Sequence, residues 1–188
     1  MSISVDGIDS AISARVHRER AERHWTLNDL AERAGVSKAM ISKIERGETS
    51  PTAALLGRLS AAFGMTLSSL LADADASPRG PARHADQPTW RDPATSYLRR
   101  QVAAPSSFPV EMTEVELPSG ASVSFPAASY SFISQIIWIL AGHLTFVEGA
   151  TTHDLAPGDS LELGPPADCT FRNDGAAACR YLVVVLRR

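Results

Sequence analysis

The stretch Thr26–Gly47, TLNDLAERAGVSKAMISKIERG, is the part of the chain from which the rest can be read. Thr26 is a favourable N-cap, and Asp29, three positions on, has the reach to return its carboxylate to the cap backbone. Leu27, Leu30, Ala31 and Ala34 then recur at i, i+3, i+4 and i+7, which places them on one helical stripe. Gly35 closes that helix because glycine enters the left-handed region without steric cost, Val36 follows as an apolar plug, and Ser37 caps a second helix. The second helix has unlike faces. Ile41, Ile44 and Glu45 fall on one side, whereas Ala39, Ser42, Lys43 and Arg46 fall on the other, and this short, polar, basic set suits a groove better than a core.

Outward from this stretch, residues 1–10 are polar and expected to fray. Residues 11–23 are expected to form a helix with Ile12 and Val16 on its buried stripe and Arg20 one further i+4 step along. That step brings a charge inward, and Glu45 sits at the edge of the inward face of the second helix, so the two are expected to pair. After Gly47, Ser50 and Pro51 read as cap and first-turn proline of a helix with Leu55, Leu56, Leu59 and Phe63 buried. Gly64 stops it, and Thr66 caps a last short helix carrying Leu67, Leu70 and Leu71. Five helices therefore make an all-α domain over residues 1–72.

These residues resemble the phage-repressor-like, or xenobiotic-response-element, helix-turn-helix regulators. The small Ala31, the turn glycine Gly35, the apolar Leu30, Val36, Ile41 and Ile44 and the ending IERGETSPT carry the resemblance. It implies that the second helix enters the DNA major groove while the first crosses the backbone. Carried over residue by residue, Lys38, Ala39, Ser42 and Lys43 would face bases, and Thr26, Ser37, Arg46 and Thr49 would meet phosphates. The Arg20–Glu45 pair is implied by the same resemblance.

Residues 73–92, DADASPRGPARHADQPTWRD, have no period and read as a linker, with Trp90 marking where the chain docks onto the next domain. Over residues 93–188 the pattern changes to short β-rich segments at 97–102, 110–117, 121–125, 129–140, 143–147, 151–155, 160–163, 169–172 and 180–186. Turn signals separate them: PSG, AG, EG, the type II sequence APGD and the hairpin signal NDG. Such spacing implies a sandwich or barrel. The run QIIWILAGHLTF, then LAPGDSLELGPP, then CTFRNDG before RYLVVV is similar to a cupin, the double-stranded β-helix or jelly-roll barrel. A repressor-like domain joined to a cupin is a familiar regulator layout, in which the barrel is the sensing and dimerising half.

Metal-dependent cupins use a His-x-His pair, a following Glu or Gln, and a later His. In this chain Ser129, Ser131 and Gln135 take the first three places and Cys169 the fourth, and no His, Cys, Asp or Glu occurs from Pro118 to Gly142. The reading is therefore no metal, no cofactor and no catalysis. Ser129, Ser131, Gln135, Cys169 and Phe171 either form a pocket for a small polar effector or fill a closed core. Cys169 also admits a redox reading, and Tyr130, Phe132, Ile136 and Trp138 form an alternating apolar stripe, either core or an intersubunit face.

Composition bounds the function class. Net charge over 188 residues is −3, so bulk charge cannot hold this chain on nucleic acid. Residues 1–72 carry nine Lys or Arg against eight Asp or Glu, and residues 93–188 six against nine, which leaves a local basic patch as the only electrostatic means. Two cysteines, no CxxC, no leader-like opening and no apolar run long enough to span a bilayer point to a cytoplasmic protein without membrane contact. The expected partners are double-stranded DNA with a pseudo-palindromic operator, a second copy of the chain, and a small-molecule effector. A small cupin enzyme and an antitoxin or protein-interaction module are the alternatives.

Overall fold

The computed structural model describes residues 5–72, 80–103 and 108–188, with the side chains of 5–8 left aside. Helices α1 (Val5–Glu22), α2 (Leu27–Ala34), α3 (Lys38–Glu45), α4 (Ala53–Phe63) and α5 (Leu67–Leu71) form the first domain. Their apolar stripes meet in a core that includes Ile12, Val16, Leu30, Ile41, Ile44, Leu56, Leu59 and Phe63, all buried. Thr26 and Asp29 make the reciprocal capping box, and Gly35 takes φ +62°. Two boundaries differ from the expected ones. Helix α1 begins at Val5, six residues earlier, and in the added part the Asp9 carboxylate accepts a hydrogen bond from Ser50, which is thereby engaged away from the cap position. Helix α4 consequently starts at Ala53 with Thr52 as its N-cap.

The second domain contains β1 (Thr89–Arg91), β2 (Leu98–Ala103), β3 (Val110–Leu117), β4 (Ser122–Phe125), β5 (Ile133–Ala141), β6 (Leu144–Glu148), β7 (Thr151–Leu155), β8 (Ser160–Glu162), β9 (Cys169–Arg172) and β10 (Cys179–Arg187). They build two antiparallel sheets, β1-β2-β3-β10-β5-β8 and β4-β9-β6-β7. Among the described residues no strand belongs to both sheets, so the domain is a two-sheet jelly-roll. Strand β3 alternates strictly between half-buried and buried residues, as expected for a sheet with one face on the core. Aromatic rings fill the space between the sheets: Phe171 of β9 stacks on Tyr181 of β10 with centroids 5.6 Å apart and touches Phe146 at 4.8 Å.

Sequence signals and structure part company at three places here. APGD behaves as read, with Gly158 at φ +95°, but it carries the chain from one sheet to the other. NDG does not close a hairpin, since β9 and β10 lie in different sheets. Asn173, fully buried, donates to the carbonyls of Leu117 and Ala177 and accepts from the Gly175 amide, so its side chain organises a crossover. Residues 129 and 130, expected to open a strand, lie in a short 3-10 turn, Ala127–Tyr130, and the strand starts at Ile133.

The two domains are pressed together. Of the stretch read as a linker, 73–79 lies outside the described residues, but 84–86 form a 3-10 turn and 89–91 are the edge strand of the larger sheet, with Trp90 buried opposite Arg99. Two carboxylates of the second domain reach the starts of two helices of the first. Asp92, 2% exposed, accepts from the Ala53 amide at 2.7 Å, and Glu111, 1% exposed, accepts from Thr66 at 2.7 Å and Ser69 at 3.0 Å. Negative charge at a helix N-terminus is favourable in its own right. Gly57 permits close approach: a Cβ there would lie 2.5 Å from the Phe125 ring, which explains a glycine inside α4 despite its cost of roughly 1 kcal/mol relative to alanine.

Candidate functional site

Helix α3 presents Lys38, Ala39, Lys43 and Arg46 to solvent, with Ser42 and Thr49 half-exposed beside them. Its other side, Ile41 and Ile44, is buried, so the exposed face is held by the core and not by contacts of its own. Ser37 accepts the Met40 amide at 3.3 Å, and Thr26 is exposed at the start of α2 with its hydroxyl engaged by Asp29. All eight residues read as DNA-facing thus lie on or beside the α2–α3 unit. Arg46 is occupied: its guanidinium holds the Glu48 carboxylate at 2.5 and 2.9 Å and donates to Ser42. The Arg46 hydrogen bonds, together with its charge, hold the Glu48 carboxyl below its ordinary value.

Behind this face, Arg20 reaches from α1 to Glu45 at the end of α3. Its Nε and Nη2 donate to the two carboxylate oxygens at 2.6 and 2.8 Å, and its Nη1 donates to the Trp25 carbonyl at 2.8 Å. His17 Nδ1 lies 3.1 Å from the same carboxylate. Burial pushes the Glu45 carboxyl up, but hydrogen bonds and charge from Arg20 and His17 outweigh it, so the net direction is down. The Arg20–Glu45 pair therefore ties α1 to the end of α3.

The second candidate is a chamber of about 60 Å³ at the seam between the domains, walled by Gly57, Ser60 and Met65–Ser68 on the helical side and by both sheets on the other. Ser129, Gln135 and Phe171 line it. Ser131 does not: it is exposed at the end of the 3-10 turn. Cys169 is buried but outside the lining, with its thiol directed to the Ala167 carbonyl at 3.4 Å. Burial pushes that thiol up to about 11, so it is protonated at neutral pH and lacks the thiolate that redox sensing requires.

The chamber does not fit a metal ion. Its polar atoms are hydroxyls, one amide and the Arg99 guanidinium, and a fixed cation opposes a second one. Among the described residues no three His, Cys, Asp or Glu side chains come together. His143 is exposed, and His153 lies against Phe146, 3.8 Å from Glu148. Arg99, Asp92, Glu111 and Gly57 were not singled out from the sequence. Arg99 alone carried a signal, a charge at an inward position of an alternating strand beside Tyr97.

Comparisons with known proteins agree with this geometry. A helix-turn-helix family model matches residues 16–70. The chain is 25% identical over 176 residues to the HTH-type transcriptional regulator SutR of Escherichia coli (strain K12), covering 90% of this chain and 91% of that one. It is 37% identical over 65 residues to the HTH-type transcriptional regulator SinR of Bacillus licheniformis, covering 34% of this chain and 59% of the relative. The crystal structure of an HTH_3 family transcriptional regulator from Vibrio cholerae shares the fold at TM-score 0.82, with 19% identity over 98% of this chain and 99% of that one. Among the described residues no helix is long and apolar enough to cross a membrane. Through residues 16–70 the chain carries a helix-turn-helix domain, over 90% of its length it is similar to an HTH-type transcriptional regulator, and a two-sheet domain packs behind the helical one.

Proposed function

We propose that the protein is a cytoplasmic, sequence-specific regulator that binds a pseudo-palindromic operator as a homodimer and answers to a small molecule without metal or catalytic chemistry. The observation that carries the reading is the solvent-facing set Lys38, Ala39 and Lys43 on a helix whose opposite side is locked into a core. Lys43 donates to guanine acceptors in the major groove. Lys43→Ala is expected to lose about 1 to 3 kcal/mol on the preferred site and to relax preference at one base position. Quantitative binding to footprinted genomic sites and to random duplex tests this; equal losses on both would reduce Lys43 to a phosphate contact.

Dimerisation is supported by the outer face of the larger sheet. Ile136 (44% exposed), Trp138 (46%) and Leu186 (45%) stand in solvent on the paired strands β5 and β10, with Val184 directly opposite Ile136 and Leu182 directly opposite Trp138. Large apolar side chains grouped in this way mark an interaction surface, and a second copy of the same face lets twofold-related heads meet half-sites about 34 Å apart. Trp138→Glu is expected to give a monomer in sedimentation and a sharp loss of operator affinity. A dimer that persists in Trp138→Glu and in Ile136→Glu would place the interface elsewhere.

A further inference from the structure

We infer that the chamber between the domains is an anion site built on Arg99, and that it takes a small carboxylate of about the size of acetate or propionate. Arg99 lies on β2 with its guanidinium directed into the seam. Nη1 donates to the Tyr97 hydroxyl at 2.8 Å, and Nη2 donates to Ser68 of α5 at 2.9 Å and more weakly to Thr113 at 3.4 Å. Every one of these acceptors is neutral. The two buried carboxylates of the seam are committed elsewhere, Asp92 to Ala53 and Thr95, and Glu111 to Thr66, Ser69 and Arg187. Among the described residues no carboxylate oxygen comes within 4 Å of Arg99. A half-buried guanidinium lacking a counter-charge is unfavourable, and a carboxylate supplies both the charge and a two-point acceptor.

Size and lining narrow the class. A cavity of about 150 Å³ holds a benzene molecule, whereas this chamber is about 60 Å³. Met65, Ile133 and Phe171 on its walls suit a short alkyl tail, and Gln135 offers a neutral hydrogen bond. A surface cleft of about 330 Å³ adjoins it, with Tyr130, Ile133 and Gln135 as the partition between the two. Because Ser68 belongs to the helical domain and Arg99 to the sheets, an occupant touches both domains at once. Its binding shifts the seam by the difference in its affinity for the closed and the loosened arrangement.

The inference rests on the small-molecule reading above but separates from it by experiment. Thermal melting of the full chain is followed at fixed ionic strength with sodium propionate, sodium acetate, propionamide and sodium chloride, for the wild type, Arg99→Gln and Arg99→Lys. The two carboxylates are expected to raise the melting temperature saturably, propionamide and chloride to leave it unchanged, and Arg99→Gln to weaken propionate at least tenfold, with Arg99→Lys retaining part of the response. Comparison of propionate with propionamide on the wild type holds even if Arg99→Gln does not fold. Equal responses to the two, or no response to either, overturns the anion site. A neutral metabolite that shifts the wild type and Arg99→Gln alike removes the anion site and leaves effector sensing standing, while silence from a full metabolite panel removes both.

Discussion

The reading head and the seam are stabilised over different distances in sequence, and that difference accounts for how each behaves. Within the head, Thr26 caps through Asp29 and Ser37 through Met40, each three residues away. At the seam, Asp92 reaches Ala53 across 39 residues, Glu111 reaches Thr66 across 45, and Arg99 reaches Ser68 across 31. A local unit tolerates change at its surface because its helices are capped from within. A seam built from a few buried charges is weakened across both domains when one is removed.

The largest test lies where the head itself ceases to be local. Arg20→Ala leaves Glu45 buried without its cation and the Trp25 carbonyl without its donor, so a loss of roughly 3 to 5 kcal/mol is expected in urea unfolding of the full chain. A loss below about 1 kcal/mol would show an exposed pair of little value. The same carboxylate predicts an acid limb. Its folded value lies below the ordinary 4.5, so its stabilisation is complete above pH 4.5 and drains away as pH falls through the folded value. In Glu45→Gln that limb is expected to shrink, and an unaltered acid limb would assign it to other groups.

The seam comes next. Glu111→Ala removes the charged acceptor of the Thr66 and Ser69 hydroxyls, and Asp92→Ala strands the Ala53 amide, each expected to cost about 1 to 3 kcal/mol. The distinguishing sign is the shape of unfolding. Loosening the seam separates the helical from the sheet transition, so far-UV and Trp fluorescence traces that coincide in the wild type are expected to diverge in the double variant. Traces that stay coincident would mean that the seam carries no coupling. Gly57→Ala tests the same contact by crowding Phe125, with about 1 to 3 kcal/mol lost as overpacking.

How much of this was legible follows from the same contrast. The helices of the head and most of the short strands are written in periods and turn residues, whereas the start of α1, the start of β5 and the edge strand β1 are not. The Arg20–Glu45 contact was legible because i+4 spacing aims both residues inward. Asp92 was not, since an aspartate in an aperiodic stretch is indistinguishable from a solvated one until the fold brings α4 above it. NDG misled for a related reason: Asn173 has every local mark of a hairpin, yet its side chain serves carbonyls at Leu117 and Ala177 and turns the chain between sheets. Ser131 fell outside the chamber because a 3-10 turn, which has no strong periodic mark, displaced the strand start to Ile133.

The smallest effect expected is on the head's surface, and it is the most specific to function. Arg46 is read as a phosphate contact, yet in the free protein it is held by Glu48, and both side chains are exposed. Binding must trade that pair for a phosphate. Arg46→Ala is therefore expected to weaken all duplexes alike and to flatten the salt dependence by about one unit, with the unfolding midpoint unmoved. Glu48→Gln is expected to act in the opposite direction, releasing Arg46 and removing a negative charge from beside the phosphates, so that affinity rises on the order of two- to fivefold at low salt and converges with the wild type as salt is raised. Tightening that survives at high salt would mean that Glu48 acts on the shape of the turn after α3, and weakening would mean that the Arg46–Glu48 pair positions the arginine for its phosphate instead of withholding it.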